Sequence, residues 1–367
     1  MLYFFFVELD ITHERRYKKI YFYYDRLLSV DVSENIFNKY PVNYGDILFQ
    51  RSSETREEVG TASVYLDKEK TATFGGFVIR GKKIGEYEPF FLSRLLQTDL
   101  SRNQITSKSG GSTRYNVGQE ILMSIKVSFP TLTEQQKIAT FLSTIDEKLQ
   151  ALKKKKSLLE IYKKGVMQKL FSQEIRFKND EGNYFEDWEE KKLGEIGTFF
   201  SGGTPLTSKR HYFDGNIPFV RSGEINSDKT EQFISEEGLK NSSAKMIEVG
   251  DLIYALYGAT SGEVGISKIN GAINQAILCV RTNMDNRFLN NYFLLNKENI
   301  INTYLQGGQG NLSAEIIKSL EIPVPSLPEQ TKIANFLTAI DEKITKVDAQ
   351  IKQTELWKKG LLQAMFV

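Results

Sequence analysis

Two stretches of the chain carry apolar residues in alternating steps of mostly three and four. The first runs Ile138, Leu142, Ile145, Leu149, Leu152, Leu159, Tyr162, Val166 and Leu170, with Lys156 where the next apolar residue should fall. The second runs Ile333, Leu337, Ile340, Ile344, Val347, Ile351, Trp357, Leu361 and Met365, broken at Thr354. Such spacing predicts two long helices that pack on each other as a coiled-coil-like pair. Each would hold about 39 residues and be roughly 58 Å long at 1.5 Å per residue. The ten seam positions expected to carry the pairing are Ile138, Leu142, Ile145, Leu149 and Leu152 with Ile333, Leu337, Ile340, Ile344 and Val347. Each helix is preceded by a proline and a capping box, Thr131 with Glu134 and Ser326 with Glu329, in which hydroxyl and carboxylate satisfy orphan N–H groups.

The same two stretches expose an internal repeat. Pro130-Thr131-Leu132-Thr133-Glu134-Gln135-Gln136-Lys137-Ile138-Ala139 returns as Pro325-Ser326-Leu327-Pro328-Glu329-Gln330-Thr331-Lys332-Ile333-Ala334, 195 residues later. The match runs without a gap to Lys163-Lys164-Gly165 and Lys358-Lys359-Gly360. Upstream it weakens: Gly45-Asp46-Ile47-Leu48 answers Gly250-Asp251-Leu252-Ile253, and Gly110-Gly111 answers Gly307-Gly308. Ahead of each helix lie short apolar runs between glycine-rich turns, Asp46 to Phe49, Gly76 to Ile79, Asp251 to Tyr254 and Ala276 to Val280, which read as strands. The expected fold is therefore α/β of the mixed α+β kind: two tandem domains separated by two long antiparallel helices. The expected boundaries are 1–130 for the first domain, 131–172 for a central helix, 173–187 for a linker, 188–325 for the second domain and 326–367 for the distal helix. The first domain lacks a sequence counterpart of the second domain's opening segment, because the stretch from Trp188 to Gly250 is longer than everything ahead of Gly45.

Composition narrows the class. With 367 residues, 40% of them apolar, the chain can bury two ordinary cores. A net charge of +2 makes any nucleic-acid surface local. One cysteine, Cys279, and two histidines, His13 and His211, cannot supply a disulfide or a structural zinc site, which fits a reducing, cytoplasmic setting. The aromatic run Leu2 to Val7 ends at Glu8, too short for a signal or a membrane span.

Catalytic chemistry finds little footing. Gly76-Phe77-Val78-Ile79-Arg80-Gly81-Lys82-Lys83 has the glycine and lysine spacing of a phosphate loop, but its interior is apolar and Lys83 stands where a magnesium-binding hydroxyl belongs. No dinucleotide fingerprint is present, nor an Asn/Asp-Pro-Pro-aromatic stretch able to hold a flipped adenine. Glu189-Glu190-Lys191 reads as a solvated face, as does Lys153-Lys154-Lys155-Lys156.

The informative pattern is polar and basic loops at equivalent points of both repeats. The first offers Arg51 and Arg56 after its Gly-Asp strand, and Lys108 and Arg114 ahead of its helix. The second offers Tyr257 and Thr260, then Gln309 and Asn311 in the corresponding places, with Lys209, Arg210, Tyr212, Arg221 and Gln275 besides. Arginine can pair bidentately with guanine and Gln or Asn with adenine, while hydroxyls and lysines hold phosphates. These thirteen residues are the candidates for contact with double-stranded DNA.

These same residues bring the chain close to a known family. Trp188 with Leu193-Gly194-Glu195-Ile196, Ser201-Gly202-Gly203-Thr204-Pro205, Ile217-Pro218-Phe219-Val220, Gly250-Asp251-Leu252-Ile253, Asn274-Gln275-Ala276, Ile322-Pro323-Val324-Pro325 and Glu329-Gln330-x-x-Ile333 make it resemble the specificity subunit of type I restriction–modification systems. The resemblance implies two target-recognition domains held apart by an antiparallel helix pair, each reading one half of a split DNA site. It implies two methyltransferase (M) subunits using S-adenosylmethionine, and ATP- and magnesium-dependent restriction/translocase (R) subunits, all in other chains. No cofactor or catalytic residue is then expected in this one. The competing readings are a coiled-coil adaptor that does not bind DNA, a specificity chain that reads only its second half-site, and a solitary methyltransferase or nuclease.

Overall fold

A computed structural model describes residues 4–6, 21–22, 33–111, 113–304 and 311–366. His13, Gln309, Gly307 and Gly308 lie outside the described residues. The chain divides into two compact units, residues 1–154 with 348–367, and residues 155–347. Each unit therefore takes part of both long helices.

In the first unit the elements are β1 (Phe4–Phe6), β2 (Tyr21–Phe22), α1 (Glu34–Lys39), β3 (Ile47–Gln50), β4 (Ser52–Ser53), β5 (Ala62–Tyr65), β6 (Val78–Gly81), α2 (Pro89–Leu95), α3 (Asp99–Lys108), β7 (Tyr115–Asn116) and α4 (Gln119–Met123). The long helix α5 (Leu132–Phe171) begins here. Five strands form one sheet in the order β1-β6-β3-β5-β2, antiparallel except for β2 against β5. Its core holds Ile47, Phe49, Val64 and Ile79. The stretch with phosphate-loop spacing is strand β6 in this sheet, its Ile79 fully buried.

The second unit contains β8 (Glu189–Lys192), β9 (Gly197–Ser201), β10 (Ile217–Val220), β11 (Phe233–Ile234), α6 (Glu236–Lys240), β12 (Lys245–Ile247), β13 (Leu252–Ala255), β14 (Val264–Ile266), β15 (Gly271–Ile273) and β16 (Ile277–Thr282). After them come α7 (Asn286–Tyr304), α8 (Ala314–Ser319), β17 (Glu321–Val324) and the start of α9 (Leu327–Met365). Two four-stranded sheets, β14-β13-β16-β9 and β11-β10-β15-β12, are accompanied by the separate short ribbon β17-β8. Sheets that are mainly antiparallel, with helices at their margins, make both units α+β.

The duplication is visible in the pairing. Gln50 lies opposite Val78 as Ala255 lies opposite Ile277, so β3 and β6 correspond to β13 and β16. In that register Phe6 opposite Ile79 matches Ser201 opposite Leu278, so β1 takes the place of β9. Phe4, Phe5 and Phe6 are thus the counterparts of Phe199, Phe200 and Ser201, a match of two phenylalanines that the sequence reading passed over.

The helix onsets are built alike at one residue and differ at another. Gln135 Nε2 donates to Pro130 O and its Oε1 accepts from Glu88 N, ahead of α2. Gln330 Nε2 donates to Pro325 O and its Oε1 accepts from Asp285 N, ahead of α7. At the first onset Thr131 Oγ1 accepts from Glu134 N at 3.4 Å. The first capping box is therefore only half formed, since the Glu134 carboxylate bonds no described residue, and the second is not formed. Buried Ser326 Oγ has no hydrogen bond to a described residue, and Glu329 is drawn instead to Arg176 Nε and Trp188 Nε1, at 3.1 and 2.9 Å.

The two helices run antiparallel within each unit. In the first, Leu142, Ile145 and Leu149 are buried on the seam, Ile138 and Leu152 half-buried, and Val347 of the second series belongs to the second unit with Ile333, Leu337 and Ile340, all buried there, and half-buried Ile344. Tyr162 and Trp357 do not face the seam; they are 52% and 49% exposed. The adjacent lysines, Lys163 and Lys358, turn inward in their place, because a helix of 3.6 residues per turn drifts against a pure three-four alternation. The two apparent gaps are also seam positions: Thr354 is 8% exposed and donates to Gln350 O, and Lys156 is half-buried.

Candidate DNA interface

In the first unit, Arg51 follows β3 directly. Its N–H donates to Phe77 O at 2.8 Å, and its carbonyl accepts from Val117 N at 3.0 Å. Strands β4 and β7 then pair Ser52 with Asn116 and Ser53 with Tyr115, which brings the loop after β3 against the loop ahead of α4. All four basic candidates are exposed at this junction, though their side chains do different things. Arg56 donates to Thr106 O and Ser107 O at the C-terminal end of α3, where a cation also meets the negative end of the helix dipole. Lys108 donates to Ser124 Oγ at 2.7 Å, and Arg51 reaches Gly76 O at 3.5 Å. Arg114 is 57% exposed, with only a 3.8 Å approach to Glu54. The turn that presents it needs glycine at Gly111, where φ is +142° and a Cβ would lie 1.8 Å from Arg114 O. Arg102 is a residue the sequence reading passed over: its Nη2 donates to Glu57 O and Val59 O and so pins the loop that carries Arg56.

The second unit repeats the arrangement. Leu312 N donates to Leu256 O at 2.9 Å, as Val117 N does to Arg51 O, so the loop after β13 leaves the sheet beside the loop that follows α7. Two more loops join at this end of the sheet, since Leu256 N donates to Ala276 O and Thr204 Oγ1 donates to Gln275 Oε1, both at 2.8 Å. Gly202 permits this convergence: a Cβ there would sit 1.7 Å from Ile273 O. The cluster thus holds Tyr257, Thr260, Gln275 and Asn311. Gln275 and Asn311 are exposed, and Tyr257 and Thr260 are partly buried. Thr260 O accepts from Glu263 N inside the turn, and Tyr257 packs on the core beneath, burial raising its phenol pKa. Lys297 bonds to Glu263 and fixes the far side of that turn, a contact no local spacing could announce.

Two candidates are corrected. Tyr212 is 3% exposed, so its ring belongs to the core, and its hydroxyl accepts from Lys209 Nζ at 2.9 Å. The Arg221 guanidinium is already taken by Glu224 and Glu231, at 3.1 and 3.4 Å. A phosphate or base could reach it only by displacing two carboxylates. Lys209 and Arg210 are exposed. Asp46 and Asp251 of the repeated Gly-Asp motif turn out to be structural. Asp46 accepts from Asn43 N and Lys83 N, while Asp251 accepts from Glu248 N and the Arg281 guanidinium. Cys279 is buried, and burial with the nearby Asp251 charge pushes its thiol up to about 12.

A duplicated α+β domain that sets the same pair of loops side by side in each copy, with different side chains on them, defines a tandem recognition protein. The chain belongs to the type I restriction modification DNA specificity domain family, whose model matches residues 14–161 and 185–355. It is 28% identical over 356 residues, 91% of its own length and 80% of the other, to a chain assigned as the type I restriction enzyme MjaX specificity subunit of Methanocaldococcus jannaschii. It is 24% identical to the EcoR124I/EcoR124II specificity subunit of Escherichia coli over 188 residues, 46% of each chain. The fold is similar to that of the type I restriction–modification S subunit from M. genitalium, with TM-score 0.61 and 17% identity, covering 100% of this chain and 94% of that one. The protein is thus a specificity subunit with two tandem recognition domains.

Proposed function

We propose that each recognition domain reads one half of a bipartite, asymmetric site in double-stranded DNA through its paired loops. The first domain would use Arg51, Lys108 and Arg114, and the second Lys209, Arg210, Gln275 and Asn311 with the loop Tyr257 to Ser261. The observation that carries this reading is the repeated bond, Val117 to Arg51 and Leu312 to Leu256, which places loops of unlike side chains on like frames. Equal frames with unequal readers are what two different half-sites require. In this reading the chain is a non-catalytic component of a cytoplasmic complex. Two M subunits bring S-adenosylmethionine, and R subunits bring the ATP- and magnesium-dependent machinery. Methyl transfer by the purified chain alone would contradict it.

The test is methylation mapping of genomic DNA in cells that carry the complete system. Exchanging Tyr257 to Ser261 for another loop should change one half of the methylated sequence and leave the other half and the gap intact. A change in both halves, or in neither, overturns the assignment.

A further inference from the structure

The loops that follow β3 and β13 are closed by the same three bonds. Gly60 N donates to Gln50 O and Gly262 N to Ala255 O, at 2.8 and 2.9 Å. Gln50 N in turn donates to Thr61 O and Ala255 N to Glu263 O, and Thr61 N reaches back to Glu58 O as Glu263 N does to Thr260 O. Gly60 and Gly262 are thus equivalent, and both have positive φ, +66° and +81°. Each is seated on the helix behind its loop: a Cβ would lie 2.5 Å from Ile105 Cγ2 of α3 in the first unit, and 2.8 Å from Ile301 Cδ1 of α7 in the second.

One turn before that isoleucine, each helix sends a cation to the base of the loop, and the two cations hold different groups. Arg102 Nη2 donates to Glu57 O and Val59 O, at 2.8 and 2.6 Å, so it grips backbone. Lys297 grips a side chain, the Glu263 carboxylate. The difference follows the residue after the glycine: Thr61 has no charge to offer, where Glu263 has one.

On the reading that these loops meet DNA, which this assignment requires, we propose that Arg102 and Lys297 are positioning residues for sequence discrimination. Each fixes, from behind and without touching DNA, the tilt at which its loop meets the bases. A loop tied only at its strand ends keeps freedom to rock, whereas a bidentate base contact has to be held within about 0.5 Å. The glycine seated on isoleucine sets the depth of the loop, and the cation sets its angle. Contacts to phosphate carry no sequence information and survive such rocking. Loss of the clamp therefore erodes discrimination between sequences before it lowers affinity for DNA at large. The two clamps also differ in what they demand. Arg102 depends on no side chain of its loop, while Lys297 needs a carboxylate at position 263, just outside the Tyr257 to Ser261 stretch that does the reading.

The test uses the chain assembled with its methyltransferase subunits, on a duplex carrying both half-sites found by methylation mapping, in competition with single-base variants. Lys297→Met should reduce discrimination at the second half-site about tenfold and leave the first half-site and the affinity for unrelated DNA unchanged. Hydrogen exchange at the Gly262 and Glu263 amides should quicken. Exchanging the pair, Lys297→Glu with Glu263→Lys, should restore most of the discrimination. Arg102→Leu should act in the same way at the first half-site alone. If Lys297→Met instead lowers affinity evenly and reduces the salt slope by about one, Lys297 is a phosphate contact and the proposal is overturned. Unchanged discrimination, or a charge-exchanged chain no better than the single variants, overturns it too. Tyr257→Ala with Thr260→Ala separates the clamp from the reading beneath it. A second half-site untouched by that double change means the loop is no reader and both fall; an altered half-site with Lys297→Met silent sinks the clamp alone.

Discussion

Lys358 of α9 is bonded to Asp146 of α5, and Arg94 of α2 holds the same carboxylate from behind. The second unit has the mirror pair: Lys163 donates to both oxygens of Asp341 at 2.7 Å. Because 146 and 341, and 163 and 358, are each 195 apart, every repeat lends its Asp to the other repeat's Lys. The environments differ. The Arg94, Asp146 and Lys358 side chains are 0, 10 and 13% exposed, whereas Asp341 is 48% exposed and the position of Arg94 is taken by Asn291. Burial and the Arg94 charge lower the Lys358 pKa, against the pull of Asp146.

The same substitution should therefore have unequal effects. Asp146→Ala strands two buried cations and is expected to cost the first unit about 3–5 kcal/mol. Asp341→Ala removes a half-exposed partner and should cost no more than about 1 kcal/mol. Urea unfolding followed by hydrogen exchange at amides of each unit separates the two. Equal losses would mean that burial does not set the strength of these pairs.

In the first domain, Arg114→Ala should weaken binding to all DNA sequences and reduce the slope of log K against log salt by about one, as loss of one phosphate contact does. Arg56→Ala removes the bonds to Thr106 O and Ser107 O. Its expected effect is fraying at the end of α3, seen as faster exchange there, with the salt slope unchanged. Binding titrations at several salt concentrations distinguish the roles.

For the second domain, Asn311→Ala should relax recognition at one base pair, a loss of about 1–3 kcal/mol if it makes a bidentate contact. Lys209→Ala should lower affinity evenly across sequences. Competition between single-base variants of the half-site measures both. An even loss with Asn311→Ala would remove it from the base readers, and the same experiment with Gln309→Ala tests the residue the sequence pattern favoured.

Acid should act on the second unit through Glu224. Burial raises its pKa, but hydrogen bonds from the Arg221 side chain, from the Arg221 and Glu231 amides and from Thr230 outweigh it and bring it to about 2, against 4.5 for a free carboxyl. A depressed folded pKa stabilises fully above 4.5 and is lost as pH falls toward 2. The difference in urea midpoint between wild type and Glu224→Gln should hence be largest at neutral pH and shrink between pH 5 and pH 3. A difference that stays constant with pH would show that the Glu224 charge contributes nothing.

What the chain determined by itself is periodic or repeated. The helix seam, the 195-residue duplication and the Gly-Asp strands are legible because each follows from local spacing and from residues that recur. Loop placement was legible only in part. Equivalent positions in two repeats pointed to equivalent surfaces, but whether a side chain is free depends on neighbours far along the chain. Tyr212 and Arg221 look like Lys209 and Arg114 in sequence; burial withdraws the first, and Glu224 with Glu231 occupies the second. Tertiary structure also decided that Phe4 to Phe6 stand for Phe199 to Ser201, since two shared phenylalanines are too short a match to align by spacing alone and the hydrogen-bond register fixes the equivalence. A strand's partner is chosen by backbone groups, and whether they are met is settled only where the folded chain brings, or does not bring, a second backbone beside them.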